Sequence, residues 1–286
     1  MHPTPAHYCG QGELYTAYMT YQYSGTWALV TGAGIPGRIG AAIAERLARA
    51  GANIYLHDIK ETDAMKSVVS AVEKTGVMVR PCFGDLTRAA DVQQLFESFE
   101  NPPDIIVNNA GIFRAADVRD GMSLPEYLVA HERAIDINVA VNMKSAFLVT
   151  EAAVYSLKKA GKSGVIVFEG DAFLERAGSY PRNLAAYAAS KMYIPSVVHQ
   201  LAEQHGREGI RFLGVLNGTI EPPATAPQST IEHMQREIPL PAHLLNPWLG
   251  AASVADAIVN LIQMEAVNGT TLTVDGGRTW TTKEEL

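Results

Sequence analysis

Two cysteines, Cys9 and Cys82, are all that 286 residues contain. They cannot build a disulfide framework, and they fit a reducing, cytoplasmic compartment. Basic residues are outnumbered, 23 Lys and Arg against 30 Asp and Glu, for a net charge of -7. That balance argues against a polyanion-binding face and so against a nucleic-acid partner. No stretch reaches the roughly 20 uninterrupted apolar residues of a membrane span. The first 25 residues lack a basic flank followed by an apolar run, so they do not read as a secretory signal. They carry Tyr8, Tyr15, Tyr18, Tyr21 and Tyr23 instead. This stretch, 1–25, reads as a surface arm packed on its own domain or on a neighbouring subunit. Gating of a substrate is the sharper alternative. The eight histidines show no paired ligand spacing, so no metal is expected. Gly-x-Ser-x-Gly is absent, which removes one hydrolase signature.

Hydrophobic residues make up 47% of the chain, enough for a substantial core. From Trp27 onward, short apolar runs alternate with helical patterns. The strand-like runs are Trp27–Val30, Asn53–Leu56, Val77–Val79, Asp104–Val107, Val165–Phe168, Ile210–Leu216 and Thr271–Val274. Between them, Ala41–Ala50, Glu61–Thr75, Arg88–Phe99, Glu126–Leu157 (with a break near Arg133), Leu184–His205 (kinked at Pro195) and Val254–Met264 read as helices. Seven strands separated by helices predict an α/β fold, a doubly wound parallel sheet of Rossmann type covered on both faces. Residues 26–286 then form one dinucleotide-binding catalytic domain. The segment 218–250 holds six prolines and little periodicity, which suits a lid over a pocket.

Thr31-Gly-Ala-Gly-Ile-Pro-Gly-Arg-Ile-Gly40 lies between the first strand and the first helix. Glycines there let the backbone approach a pyrophosphate, and the helix N-terminus supplies amide donors and a favourable dipole. Asp58 ends the second strand, where a carboxylate can bind both ribose hydroxyls and repel a 2′-phosphate. Arg38, inside the turn, pulls toward NADP. The directly placed Asp58 makes NAD the expected cofactor.

Four further motifs follow in order: Gly84-Asp-Leu86, Asn108-Asn-Ala-Gly111, Asn138 within Asp136-Ile-Asn-Val139, and Tyr187-Ala-Ala-Ser-Lys191. With the glycine turn and Asp275-Gly-Gly277, they resemble the short-chain dehydrogenase/reductase family in its classical form, over about Thr26 to Trp280. Tyrosine and lysine four apart share a helical face. An ammonium near a phenol favours the phenolate, which can then trade a proton while nicotinamide exchanges hydride with carbon. The resemblance implies Tyr187 as general acid/base and Lys191 as its partner and a holder of the nicotinamide ribose. It implies Asn138 as support for a relay water. It further implies a cofactor lined by Gly32, Arg38, Ile39, Gly40, Asp58, Asp85, Leu86, Asn109, Ala110, Gly111, Gly218 and Ile220. Relatives of this kind pair their long helices, so a homodimer or homotetramer is expected.

Two features depart from the family pattern. Its usual serine after the fifth strand is missing, and the strand alignment puts Glu169 and Gly170 there. Asp171 or Glu169 could orient the substrate instead, Tyr187 could act almost alone, or the protein could bind dinucleotide and catalyse little. Ser179 could fold back toward Tyr187, though nothing in the sequence requires it. Gly32 and Gly40 are also eight apart, a lengthened turn resembling the divergent enoyl reductases. Those place the lysine farther from the tyrosine, and the position this would need holds Leu184. The expected function is hydride transfer between NAD and a hydroxyl or carbonyl carbon of a small molecule. A dinucleotide-binding scaffold is the alternative, and enoyl reduction a lesser one.

Overall fold

The computed structural model describes residues 22–172, 183–221, 229, 232 and 249–276. The expectations for Tyr8 to Tyr21, Cys9 and Ser179, and for most of the 218–250 lid, lie outside them. The strands are β1 Trp27–Val30, β2 Asn53–Asp58, β3 Val79–Phe83, β4 Ile105–Asn108, β5 Gly164–Asp171, β6 Ile210–Asn217 and β7 Thr270–Val274. All pair in parallel, in the order β3-β2-β1-β4-β5-β6-β7. This is the Rossmann-type sheet that the alternation predicts. Successive strand residues point to opposite faces. Val30, Ile54, Leu56 and Val167 therefore feed one core layer, and Leu29, Tyr55, Ile166 and Phe168 the other.

Helices cover both layers. They are α1 Ile39–Arg49, α2 Asp63–Glu73, α3 Ala89–Glu97, α4 Leu124–Asn138, α5 Ser145–Ala160, α6 Ala185–Met192, α7 Ile194–His205 and α8 Ala251–Gln263. Leu47 of α1 and Ile258 of α8 pack into the first layer, and Leu157 of α5 and Val198 of α7 into the second. Among the described residues, no helix is long and apolar enough to cross a membrane.

Four local expectations need correction. The third strand begins at Val79 rather than ending there, and it runs through Pro81. Being the edge strand, β3 tolerates the missing donor. The long helix does not break near Arg133. It starts at a capping box, with Glu126 accepting from the Ser123 amide at 2.8 Å, and continues to Asn138. It then passes through a π-helical turn, Val139–Lys144, into α5. Pro195 does not kink one long helix. It lies in the first turn of α7, where its missing N–H costs no hydrogen bond, and α6 has already ended at Met192. Finally, β5 continues three residues past the end of its apolar run, so Glu169, Gly170 and Asp171 are strand residues, in register with Val215, Leu216 and Asn217 of β6.

His57 on β2 gives the fold an acid-sensitive point. Its ring is buried, with Nε2 3.1 Å from the Gly84 carbonyl oxygen and Nδ1 lacking a partner. Burial pushes its pKa down to about 4. The unfolded chain takes up this proton below about pH 6.5, whereas the fold excludes it until near 4. The contribution is therefore complete above about pH 6.5 and is lost as pH falls toward 4, by up to about 3 kcal/mol. His57→Gln should flatten the melting temperature's dependence on pH across that window. Parallel curves for the two proteins would refute this.

Candidate active site

In a parallel sheet every strand delivers its following loop to the same edge, and the crevice opens where the strand order reverses, here between β1 and β4. The glycine turn leaves β1 at that point. Gly32 has φ of 64°, and a Cβ there would lie 2.7 Å from the Ala110 Cα. Only glycine suits both the conformation and the contact. Asn109 braces the turn, its Nδ2 donating to the carbonyls of Thr31 at 2.8 Å and Gly32 at 3.1 Å. Its side chain thus supports the turn, and Ala110 and Gly111 carry the loop onward.

Asp58 stands at the end of β2, accepting from the amides of Gly34 at 2.9 Å and Ile59 at 2.7 Å. A carboxylate has about four acceptor positions, so two amide bonds leave capacity for ribose hydroxyls. A side chain at position 34 would occupy that space, since its Cβ would fall 2.5 Å from Asp58 Oδ2. Arg38 is exposed and caps α1 without a side-chain hydrogen bond. By contrast, Thr62 caps α2 by accepting from the Met65 amide at 3.1 Å. The first amides of α1, those of Ile39 and Gly40, therefore have no side-chain cap, which suits a pyrophosphate. Asp85 accepts from the amide and hydroxyl of Thr87, and these bonds hold its carboxyl below the usual range. Leu86 is buried. Gly218 packs against Asp275 at the end of β6, and Ile220 bridges to Leu249.

The centre of the site is a two-rung ladder between β5 and α6. Glu169 and Asp171 are two apart on a strand and share a face; Tyr187 and Lys191 are four apart on a helix and share a face. Two strand residues rise about 6.6 Å and four helical residues about 6 Å, so the two spacings match. Tyr187 Oη donates to Asp171 Oδ2 at 3.0 Å. Lys191 Nζ donates to the Glu169 carbonyl oxygen at 3.1 Å and lies 3.4 Å from Glu169 Oε2. Tyr187 and Lys191 are both buried. Burial pushes the Glu169 carboxyl up, the Lys191 charge offsets part of this, and Asp171 adds to the rise. The Phe113 ring meets Tyr187 edge-on with centroids 4.7 Å apart, and it is 60% exposed.

Asn138 is buried, with its Nδ2 donating to the carbonyls of Ala134 and Arg114 at 2.7 and 2.8 Å. It does not contact the Tyr187–Lys191 pair in any of these bonds. One turn on, within the π-helical segment, Asn142 does reach that neighbourhood. Its Oδ1 accepts from the Ile112 amide at 2.7 Å, and its Nδ2 donates to Ser190 Oγ at 2.9 Å. The position of a Cβ on Gly111 lies 3.1 Å from Asn142 Oδ1 and 3.2 Å from Lys191 Nζ. The Asn142 carbonyl also accepts from the hydroxyl of the partly buried Tyr193 at 3.1 Å. Neither Asn142 nor Tyr193 stands out in the sequence. The available signal is Asn142 itself, four residues and one turn beyond Asn138.

A doubly wound sheet with a glycine turn at its reversal point, and a buried tyrosine–lysine pair on the helix after β5, defines a short-chain dehydrogenase/reductase. Comparison with known proteins agrees: the family model described as enoyl-(acyl carrier protein) reductase matches residues 32–279, and the chain belongs to the short-chain dehydrogenase/reductase family. It is 32% identical over 265 residues to (3R)-3-hydroxyacyl-CoA dehydrogenase of Canis lupus familiaris, covering 87% of this chain and 95% of that protein. It is 30% identical over 259 residues to 2-(S)-hydroxypropyl-CoM dehydrogenase 3 of Xanthobacter autotrophicus, with 87% and 95% covered. A short-chain dehydrogenase of Burkholderia cenocepacia in complex with NADP superposes with a TM-score of 0.70 at 28% identity, covering 89% of this chain and 98% of that one. The protein is thus an oxidoreductase that uses a nicotinamide cofactor.

Proposed function

We propose that the protein is an NAD-dependent dehydrogenase acting on a hydroxyl or carbonyl carbon of a small molecule, with Tyr187 as general acid/base. The observation that carries this reading is the buried Tyr187–Lys191 pair beside Gly111, at the edge where the glycine turn opens. Both relatives compared above are named as dehydrogenases of hydroxyl-bearing thioesters or thioethers, which supports alcohol chemistry. When bound, the dinucleotide supplies the hydride acceptor or donor. Gly32, Ile39 and Gly40 would carry its pyrophosphate, Asp58 its adenosine ribose, and Lys191 its nicotinamide ribose. Asp85 and Leu86 would flank the adenine, while Ala110, Gly111, Gly218 and Ile220 would line the nicotinamide end.

The chain's own residues handle the proton. Tyr187 Oη exchanges it with the substrate oxygen, and Lys191 favours the phenolate by its charge. Asp171 takes the place of the absent serine as the substrate-facing group. Asn142, which with Lys191 closes around Gly111, holds the loop after β4 through Ile112. Asn138 supports it from one turn below, with Oδ1 3.4 Å from Asn142 Nδ2.

Asp58 supports NAD, through ribose contact and repulsion of a 2′-phosphate. Arg38 and the NADP-bound relative point the other way. Dissociation constants for the two dinucleotides decide between them. NAD should bind at least about tenfold more tightly, the equivalent of about 1.4 kcal/mol. Asp58→Ala should erase that preference. Equal or tighter NADP binding by the unaltered protein would reject the reading. Dinucleotide binding without turnover of any alcohol or ketone would favour the scaffold alternative.

A further inference from the structure

We propose that Glu169 is a positioning residue for the proton transfer: as the counter-charge of Lys191, it holds that ammonium in place and weakens its pull on the phenol proton of Tyr187. The proposal rests on the reading of Tyr187 as the acid/base. Among the described residues, both hydrogen bonds of Lys191 Nζ go to Glu169, to its carbonyl oxygen at 3.1 Å and to its Oε2 at 3.4 Å. The two side chains are 7% and 11% exposed, so water does little to screen the pair. An ammonium has three donors, and one residue takes two of them. Gly111 lies beside the same Nζ, since a Cβ there would come within 3.2 Å of it. Glu169 thus holds Lys191 against the loop that would line the nicotinamide end of the dinucleotide.

The same carboxylate changes what Lys191 can do. An ammonium favours a nearby phenolate by its charge, and a carboxylate beside that ammonium offsets the effect. Glu169 and Asp171 are two residues apart on β5, and the Tyr187 hydroxyl bonds to Asp171. The strand rise therefore sets the Glu169 charge roughly 6–7 Å from the phenol. At that separation, with an effective dielectric constant of about 20 to 40, one negative charge raises the pH at which a phenol ionises by about one to two units. This increment belongs to Glu169 alone and adds to whatever else Tyr187 and Asp171 meet.

The groups that face Glu169 come from three places. Lys191 faces it from α6, Asp171 from its own strand, and the Tyr193 hydroxyl from the junction of α6 and α7. Its register partner on β6, Val215, is uncharged. Burial pushes the Glu169 carboxyl up, Lys191 opposes this, and Asp171 adds to the rise. Tyr193 is pushed up in turn, by burial first and by the Glu169 charge second, so its hydroxyl stays neutral and donates to the Asn142 carbonyl. Lys191 is the one cation in this set. Protonating Glu169 would leave that buried ammonium without its hydrogen-bonded counter-charge, which is costly. The pair therefore stays charged in the range where a phenol ionises.

The test reads Tyr187 itself, in the full chain and without substrate. Tyrosine labelled with carbon-13 at the hydroxyl-bearing carbon reports ionisation by NMR, and loss of a signal in Tyr187→Phe assigns Tyr187. In Glu169→Gln, which keeps the shape and the acceptor, the Tyr187 midpoint should fall by about one to two pH units. Glu169→Met keeps the shape without the acceptor and should give the same fall, because the charge and not the bond is responsible. It also carries the test if the glutamine variant fails to fold. A lowered midpoint in a folded variant is the expected result, and disruption of packing alone would not produce it. A midpoint that is unchanged or raised overturns the proposal. The acid/base reading fails on a different measurement, retained turnover in Tyr187→Phe, and that failure would leave the titration of Tyr187 readable.

Discussion

Tyr187→Phe should lower turnover by at least about a hundredfold, within the range that general acid/base groups contribute. Dinucleotide affinity should change by less than about twofold, a few tenths of a kcal/mol on the affinity scale. The expectation follows from what the hydroxyl does and what the ring does. The ring is buried and packs edge-on against Phe113, and phenylalanine keeps that packing. The hydroxyl donates to Asp171, so its removal also deletes one hydrogen bond of the ladder. Lys191, the residue proposed to meet the cofactor ribose, stays bonded to the Glu169 carbonyl and is not disturbed. Chemistry and cofactor binding should therefore separate. A variant that retains more than about a tenth of turnover would show that another group moves the proton. Equal loss of turnover and dinucleotide binding would point instead to a displaced α6, which the melting temperature would register.

The sheet was legible because its central strands are buried on both faces. Trp27–Val30 and Val165–Phe168 read as continuous apolar runs, and such runs, alternating with helices, fit the middle of a covered parallel sheet. The edge was harder. β3 contains a proline, and two of its residues, Pro81 and Phe83, are exposed, so its pattern is weak where the apolar run near Val77 looked stronger. The end of β5 was hidden for a related reason. Glu169 and Asp171 resemble loop charges by composition, yet β6 pairs with them and α6 supplies each with a partner. A strand that ends in acids can be recognised only when the helix facing it is known. The same holds for Asn142. Nothing local distinguishes it from Asn138, since both lie in a helical run one turn apart. Their difference is tertiary: Asn142 faces Ile112 and Ser190, whereas Asn138 faces Arg114 and its own helix. The π-helical turn that rotates Asn142 into place has no signature in Val139–Lys144.

Gly40→Ala should lower dinucleotide affinity by at least about tenfold and destabilise the fold by about 1–3 kcal/mol, as overpacking does. The added methyl carbon would sit 2.6 Å from the Gly32 carbonyl oxygen and 2.9 Å from the Ala33 Cα. Both are backbone atoms, so no rotamer change relieves the contact. Asn109 Nδ2 would lie at 2.5 Å, and that group is already bound to the carbonyls of Thr31 and Gly32. The clash must therefore move either the glycine turn or the start of α1 at Ile39. These are the two elements whose amides would meet the pyrophosphate. Displacement of a few tenths of an ångström weakens several such bonds together, because they converge on one group. Gly37→Ala is the matched control: a Cβ there meets nothing within 4 Å, though its φ of 72° carries a backbone cost. It should lower the melting temperature with a smaller effect on affinity. If Gly40→Ala binds the dinucleotide as tightly as the unaltered protein, the turn around Gly40 is not the pyrophosphate cradle, and the placement of the cofactor across β1 and β4 fails with it.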